Sequence, residues 1–395
     1  MTVSAKIILK KGKEFSIQRF HPWIFSGAIQ KQEGVSTDGA WVEVLDFKGN
    51  TLGFGHYQNG SIAVRILSFA KTAPDESFWI NKFLHARQLR RSSGLPSSHT
   101  NAYRLVHAEG DGLPGLIIDY YDGIAVVQAH SAGMHLDRER IVIALQDVFS
   151  DELKAVYYKS HGTLPGNMRE AASEEYLFGM GVVPHIIYEN DNKFYVDWEE
   201  GQKTGFFLDQ RENRKLLAQF SKDKKVLNTF CYTGGFSVYA LSAGASVVHS
   251  VDASQKAIDL TKKNLDLNGF NTNVHRCFAE DTFDFLKDKH GIYDVIILDP
   301  PAFAKHRDAR HQAVKGYQRL NTEAMQKIRN GGIIFTFSCS QVVDRQLFYD
   351  TIVSAAIQAG RQIKVLHHLN QPADHPVSIY HPEGEYLKGL VLYVE

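Results

Sequence analysis

Apolar and polar residues alternate in short runs over the first seventy positions, as in Lys6-Ile-Ile-Leu9, Trp41-Val-Glu-Val-Leu45 and Ile62-Ala-Val-Arg-Ile-Leu67. Gly34, Gly39, Gly49, Gly53 and Gly60 punctuate them. Period-two alternation gives a strand one buried face, and glycine breaks let the chain turn back, so this stretch predicts a small β-barrel or sandwich. A helical period then runs from 75 to about 91 and is broken by Ser92-Ser-Gly-Leu-Pro96. Strand-like runs follow over 103–108, 115–119 and 124–128, the first two separated by Glu109-Gly-Asp-Gly-Leu-Pro-Gly115. A helical pattern over 136–149 and further short strands complete a middle α+β domain.

Beyond residue 201 the pattern alternates. Strands are predicted over 225–230, 246–252, 273–278, 293–299, 332–338, 362–367 and 389–394. Helices are predicted over 209–220, 254–267, 281–287, 318–328 and 342–359. Strand and helix in turn imply βαβ units and a mostly parallel, doubly wound sheet. The domains expected are 1–70, 71–200 and 201–395, in keeping with 395 residues.

Composition narrows the class. Hydrophobic residues make up 44% and charged residues 22%, which excludes a disordered or fibrous chain. Lys plus Arg (44) balance Asp plus Glu (44), so any surface for a polyanion must be local. Lys6, Lys10, Lys11 and Lys13 form such a cluster, although a solvated face explains a lysine cluster more often. Cys231, Cys277 and Cys339 match no zinc or redox spacing, so neither a disulfide framework nor a metal is expected. With no secretory leader or membrane span in the pattern, a cytoplasmic protein with reduced thiols is expected.

Ligands bind beyond the carboxyl ends of the strands in a doubly wound sheet, so the strand ends carry the candidate chemistry. The first runs into Cys231-Tyr-Thr-Gly-Gly-Phe236, where glycines permit close backbone approach, though a plain tight turn reads the same way. Asp252 ends the second strand at the distance suited to ribose hydroxyls; the alternative is a helix cap, for which Ser254 is also available. After the third strand, Asp281 offers an acceptor for an adenine amino group or, equally, a cap. The fourth ends in Asp299-Pro-Pro-Ala-Phe303, whose prolines fix an extended turn presenting the carboxylate. The fifth ends in Thr336-Phe-Ser-Cys-Ser340, beside the same crevice; a lone cysteine is more often a small buried hydrophobe.

Taken together, Thr204-Gly-Phe-Phe-Leu-Asp-Gln-Arg211, Val226-Leu-Asn-Thr-Phe-Cys-Tyr-Thr-Gly-Gly-Phe236, Leu298-Asp-Pro-Pro-Ala-Phe303, Thr336-Phe-Ser-Cys-Ser340 and Pro382-Glu-Gly-Glu-Tyr-Leu-Lys-Gly389 resemble the class I S-adenosylmethionine-dependent methyltransferases. Within them the chain is similar to the bacterial large-subunit ribosomal RNA cytosine-C5 methyltransferases, over nearly its whole length. The resemblance implies a Rossmann-like methyltransferase sheet, an N-terminal RNA-binding PUA barrel over 1–70, and a middle domain that helps to hold RNA. It also implies that Gln210, Phe230, Tyr232, Gly234, Gly235, Asp252, Asp281 and Asp299 line the S-adenosylmethionine pocket. The fourth-strand motif lacks the second cysteine of another branch of RNA cytosine methyltransferases, so Cys339 would act alone; a guanine-N7 branch lacks the fifth-strand cysteine.

On this reading Cys339 adds to cytosine C6 to activate C5, and Asp299, protonated, bonds the N3 edge. The target base must be unstacked to be reached, with Phe303 as a stacking candidate against a packing role. His306, Arg307, Arg310, His311 and Lys315 are phosphate-contact candidates, or an ordinary solvated loop. The expected partner is large-subunit ribosomal RNA, with no membrane; a homodimer is one open reading. Three rivals stand beside this: a small-molecule methyltransferase, a noncatalytic RNA-binding protein, and a nicotinamide oxidoreductase, for which the glycine fingerprint is wrong.

Overall fold

The structure is a computed structural model; it describes all residues except Glu170, Ala171 and Lys305, and leaves the side chains of Asn167 and Arg307 undescribed. The chain divides into two compact units. The first comprises Met1–His185, Val196–Phe206 and Ala373–Gly384, and the second Ile186–Tyr195, Phe207–Pro372 and Glu385–Glu395.

In the first unit, six strands, β1 (Ala5–Leu9), β2 (Trp23–Phe25), β3 (Ile29–Gly34), β4 (Trp41–Leu45), β5 (Thr51–Tyr57) and β6 (Ile62–Ser68), form one sheet in the order β2-β6-β5-β4-β1-β3. The alternation read from sequence places Ile7, Leu9, Val42, Val44, Val64 and Ile66 in its core. A second sheet, β11-β10-β9-β8-β7, is built from β7 (Ala102–His107), β8 (Leu116–Tyr121), β9 (Ile124–Ala129), β10 (Ala155–Tyr158) and β11 (Glu175–Gly179). Helices Phe78–Ser92 and Arg138–Phe149 contribute Trp79, Phe83, Ile141, Leu145 and Phe149 to its core. Asp137 joins barrel to helix: its Oδ2 accepts from Trp41 Nε1 at 2.8 Å and lies 3.0 Å from His56 Nε2. The segment 373–384 belongs here because Arg90 Nη2 donates to Asp374 O (2.7 Å) and Arg104 N to Asp374 Oδ2 (3.0 Å).

The second unit holds most of the hairpin β12 (His185–Glu189) and β13 (Asn192–Val196) and a seven-stranded sheet: β14 (Lys225–Thr229), β15 (Val247–Asp252), β16 (His275–Ala279), β17 (Val295–Leu298), β18 (Gly332–Ser338), β19 (Ile363–Asn370) and β20 (Lys388–Val394). Its order is β16-β15-β14-β17-β18-β20-β19; the first five strands are parallel and β20 runs antiparallel to both neighbours. The expected α/β class is therefore found. Two helices depart from the expectation. The one predicted over 318–328 begins at Arg310 and ends at Lys327, because its first half buries only Ala313 and Tyr317 among exposed polar residues and so hides the period. Helix Gly235–Ser242 buries every residue from Gly235 to Leu241, so it shows no amphipathic stripe to read. Among the described residues no helix is long and apolar enough to cross a membrane.

Candidate active site

The turn after β14 is strained. Phe230 (φ 54°) and Tyr232 (φ 45°) occupy the left-handed region, which disfavours side chains with a Cβ, and Gly234 follows at φ 75°. A Cβ on Gly234 would lie 2.7 Å from Thr261 Cγ2, so the close approach itself requires glycine. Bonds from outside the turn hold this conformation: Cys231 N to Val251 O (3.1 Å), Thr261 Oγ1 to Tyr232 O (2.9 Å) and Asn264 Nδ2 to Thr233 O (2.8 Å). Beneath Gly235 lies Arg214, whose Nε and Nη2 donate to the two oxygens of buried Glu189, each at 2.8 Å. Among the described residues no side chain caps the helix that starts at Gly235, so its first N–H groups face the turn. Cys231 is buried and its thiol is pushed well up, chiefly by burial, which suits a structural role.

Asp252 ends β15, where its Oδ2 accepts from Tyr232 N (3.1 Å) and its Oδ1 from Ser254 N (2.9 Å). Ser254, not Asp252, caps the following helix through Ala257 N. Asp281 does cap a helix: its Oδ1 accepts from Phe283 N (2.8 Å) and Asp284 N (3.2 Å), so the capping alternative is realised there.

Parallel pairing of Leu298 with Thr336 brings the ends of β17 and β18 together, and with them Asp299 and Cys339. Gln210 Nε2 donates to Asp299 Oδ2 (3.0 Å), and Asn213 Nδ2 to Gln210 Oε1 (2.6 Å). Burial and the Asp209 charge raise the Asp299 carboxyl to about 7, against the Gln210 bond and Arg214. Asp209 is itself oriented by Tyr386 Oη, which donates to its Oδ2 at 2.7 Å. Burial, then Asp299 and Asp209, push the Cys339 thiol up to about 11, while Lys388 opposes them. Lys388 is buried, with its ammonium donating to Ser340 O and Val343 O at 2.6 Å each, and burial lowers it to about 8.

Asp209, Lys388, Tyr386 and the Arg214–Glu189 pair, which surround these candidates, were not singled out from sequence. The blocks 204–211 and 382–389 contain three of these residues, but only the fold shows what they touch. Phe303 packs on Tyr317, with ring centroids 4.7 Å apart, and against Gly316, so packing is its role in this structure. His306, Arg310, His311 and Lys315 are exposed, and Arg310 pairs with Asp344 at 3.2 Å; the side chain of Arg307 lies outside the described residues.

The sheet order, with an antiparallel β20 between β18 and β19, the glycine turn after β14 and the carboxylate ending β15 define a class I S-adenosylmethionine-dependent methyltransferase. A family model described as S-adenosylmethionine-dependent methyltransferase matches residues 103–384, and one described as a PUA-like domain matches 7–69. The chain therefore belongs to the S-adenosylmethionine-dependent methyltransferase family, and S-adenosylmethionine is its cofactor. It is 39% identical over 397 residues to the ribosomal RNA large subunit methyltransferase I of Alteromonas mediterranea, covering 99% of each chain. It is 40% identical over 400 residues to the protein of the same name from Pseudoalteromonas atlantica, covering 99% of this chain and 100% of that one. The fold matches a candidate S-adenosylmethionine-dependent methyltransferase from Streptococcus mutans (TM-score 0.83, 23% identity) over the whole of both chains. It also matches a candidate methyltransferase complexed with SAH (TM-score 0.85, 24% identity), again over both whole chains.

Proposed function

We propose that this protein methylates C5 of a cytosine in large-subunit ribosomal RNA, with Cys339 as covalent nucleophile and Asp299 as acid. The full-length similarity to proteins named ribosomal RNA large subunit methyltransferase I supports the substrate class, and the PUA-like barrel supports RNA binding. The chemistry rests on one observation: a thiol and a carboxyl raised to about 7 end adjacent strands. In this reading residues 1–70 and 71–200 hold RNA, and residues 201–395 carry out transfer.

The Phe230–Gly235 turn with its uncapped helix, Gln210, Asp252 toward the ribose hydroxyls and Asp281, which caps a helix through Oδ1 and has Oδ2 left for the adenine amino group, would hold the cofactor. Its sulfonium supplies the methyl group and a positive charge. Cytosine C5 is a weak nucleophile until C6 is saturated. Cys339 Sγ forms a bond to C6 as the C5=C6 π bond breaks, and N3 takes a proton from the Asp299 carboxyl, which leaves an enamine whose C5 accepts the methyl group. A base then removes the C5 proton, the S–C6 bond breaks to restore the C5=C6 double bond and release the Cys339 thiolate, and N3 returns its proton to the Asp299 carboxylate. Cys339 at about 11 and Asp299 at about 7 hold two protons below about pH 7 and share one between about pH 7 and 11. The reactive arrangement, thiolate beside carboxylic acid, is therefore roughly one part in ten thousand in the free protein. The Lys388 ammonium keeps that fraction from being smaller still, because it holds the Cys339 value down to about 11.

The test is transfer of labelled methyl from the cofactor to ribosomal RNA, with the product base mapped. Label in 5-methylcytosine that falls by about a thousandfold or more in Cys339→Ala is expected. Undiminished label in the variant would remove Cys339 from the reaction, label in guanine would refute the base assignment, and no transfer to any RNA would refute the substrate class.

A further inference from the structure

We propose that His21, His381 and Glu383 form a site for a divalent transition-metal ion of the zinc class, which staples the 378–384 segment to the barrel strand carrying Trp23. All three residues belong to the first unit. One ligand atom from each lies within 4.8 Å of the others, and His381 Nε2 is 3.8 Å from Glu383 Oε2. The donor set, two imidazoles and one carboxylate, is one zinc accepts, with a fourth position left for solvent.

The second observation is His381 itself. It is 2% exposed, yet among the described residues neither ring nitrogen has a hydrogen-bond partner. A buried polar group left in that state is unfavourable, and a cation accepting the imidazole lone pair relieves it. The ring is also fixed in place: Trp23 packs edge-on at 4.3 Å between centroids and His21 at 5.5 Å. Trp23 is held in turn by Nε1 donating to Glu109 Oε1 at 2.9 Å. His21 Nδ1 meets the Trp23 backbone, 3.2 Å from its N–H and 3.3 Å from its carbonyl, which orients the ring and leaves Nε2 as the ligand. Zinc bonds of about 2.0–2.2 Å put tetrahedral ligand atoms roughly 3.3–3.6 Å apart. Closing from spacings of up to 4.8 Å takes shifts of up to about 1.2–1.5 Å, and Glu383, with its side chain 56% exposed and 3.8 Å from His381 Nε2, is free to supply its share.

An ion here would act on the fold of the first unit. It would fix a segment whose two ends, Pro372 and Glu385, continue into the other unit. The donors sit at opposite ends of the chain, so no sequence spacing announces them.

The test uses untagged full-length protein stripped with a chelator, titrated with Zn²⁺ by calorimetry and with Co²⁺ by visible absorption. One tight equivalent is expected, with the d–d spectrum of a low-symmetry nitrogen–oxygen site and a melting temperature that rises with Zn²⁺. Glu383→Gln, at an exposed position, and His381→Gln should each weaken binding by about a hundredfold or more with unchanged circular dichroism, and His21→Gln guards against misfolding of the buried variant. Absence of a tight equivalent in the stripped protein overturns the proposal. Equal affinity in all three variants overturns it as well, placing the ion among the other histidines of the eighteen in the chain.

Discussion

Replacing Asp299 with Asn should separate two properties that usually fall together: Cys339 should become more reactive while methyl transfer collapses. Asn has the same shape and can still accept from Gln210 Nε2, now 3.0 Å from Asp299 Oδ2. What it removes is a negative charge and an acidic proton. The thiol stands at about 11, with Asp299 the largest contributor after burial. At pH 8 that leaves roughly one thiolate in a thousand. A like charge within about 4–6 Å raises a pKa by about 1–3, so removing it and taking the low end gives about a tenfold gain in thiolate. Iodoacetamide alkylation of Cys339, followed by peptide mass spectrometry at pH 8, should therefore run about ten times faster in the variant. Transfer to ribosomal RNA should drop by about 10² to 10⁴, the usual worth of a positioned acid. The pH profile gives a third reading. In the native protein log kcat/KM should rise with unit slope to about pH 7, where Asp299 titrates, and then level; in the variant the rise should continue beyond pH 8. Slower or equal alkylation, or undiminished transfer, would refute the shared-proton argument.

Lys388→Met removes a donor from the carbonyls of Ser340 and Val343, so it should cost about 2–4 kcal/mol in denaturant unfolding and slow Cys339 alkylation by withdrawing the opposing cation. Gly234→Ala forces a Cβ to 2.7 Å from Thr261 Cγ2 at φ 75°, and calorimetry should show cofactor affinity weakened by about tenfold or more. Asp299 also links stability to pH. Its folded pKa of about 7 lies above its ordinary value of 3.8, so the folded state holds the proton more tightly. Stability from this group is full below pH 4 and lost as pH rises to 7, so Asp299→Asn should be the more stable protein at pH 8 by about 2–4 kcal/mol and indistinguishable near pH 4 in urea melts.

The sequence made the sheet legible because its strands are short apolar runs at regular intervals; β18 lies over 332–338 as the pattern predicts. Helix Gly235–Ser242 was not legible, since a helix buried on all sides carries no period. That Asp252, Asp299 and Cys339 close strand ends, where this fold class binds ligands, could be read from sequence. Their charge environment could not. Lys388 sits at the start of β20, an antiparallel strand inserted beside β18, and its register with Ser338 brings the ammonium near Cys339. Register between distant strands has no local signature. The same holds for Glu189, which reaches Arg214 only because Ile186–Tyr195 packs with the second unit. The membership of 373–384 in the first unit, and with it the cluster at His381, is likewise a product of tertiary packing.

The site concentrates features that destabilise a folded chain. Two non-glycine residues hold positive φ within three positions, a carboxyl is buried next to another acid, and a lysine is almost fully enclosed. Each such strained residue costs about 1–3 kcal/mol, so the surroundings must over-determine the geometry. They do so through bonds that converge from elements distant in sequence. Thr261 and Asn264 from one helix fix the backbone of the turn, and Arg214 from another fills the space beneath Gly235. Arg214 is locked by two bonds to Glu189, whose Oε1 also accepts from Tyr239 Oη at 3.0 Å. Glu189 thus acts through Arg214 on the Phe230–Gly235 turn, which the proposed function gives to the cofactor. Removing one member of a buried ion pair leaves the other charge uncompensated, at about 3–5 kcal/mol. Glu189→Gln retains hydrogen-bonding atoms but not the charge, so its effect should divide between a lower melting temperature and weaker S-adenosylmethionine binding. A variant that lost stability with cofactor affinity unchanged would show that the turn keeps its shape without the Glu189–Arg214 pair, and would leave its strain to the bonds with Val251, Thr261 and Asn264.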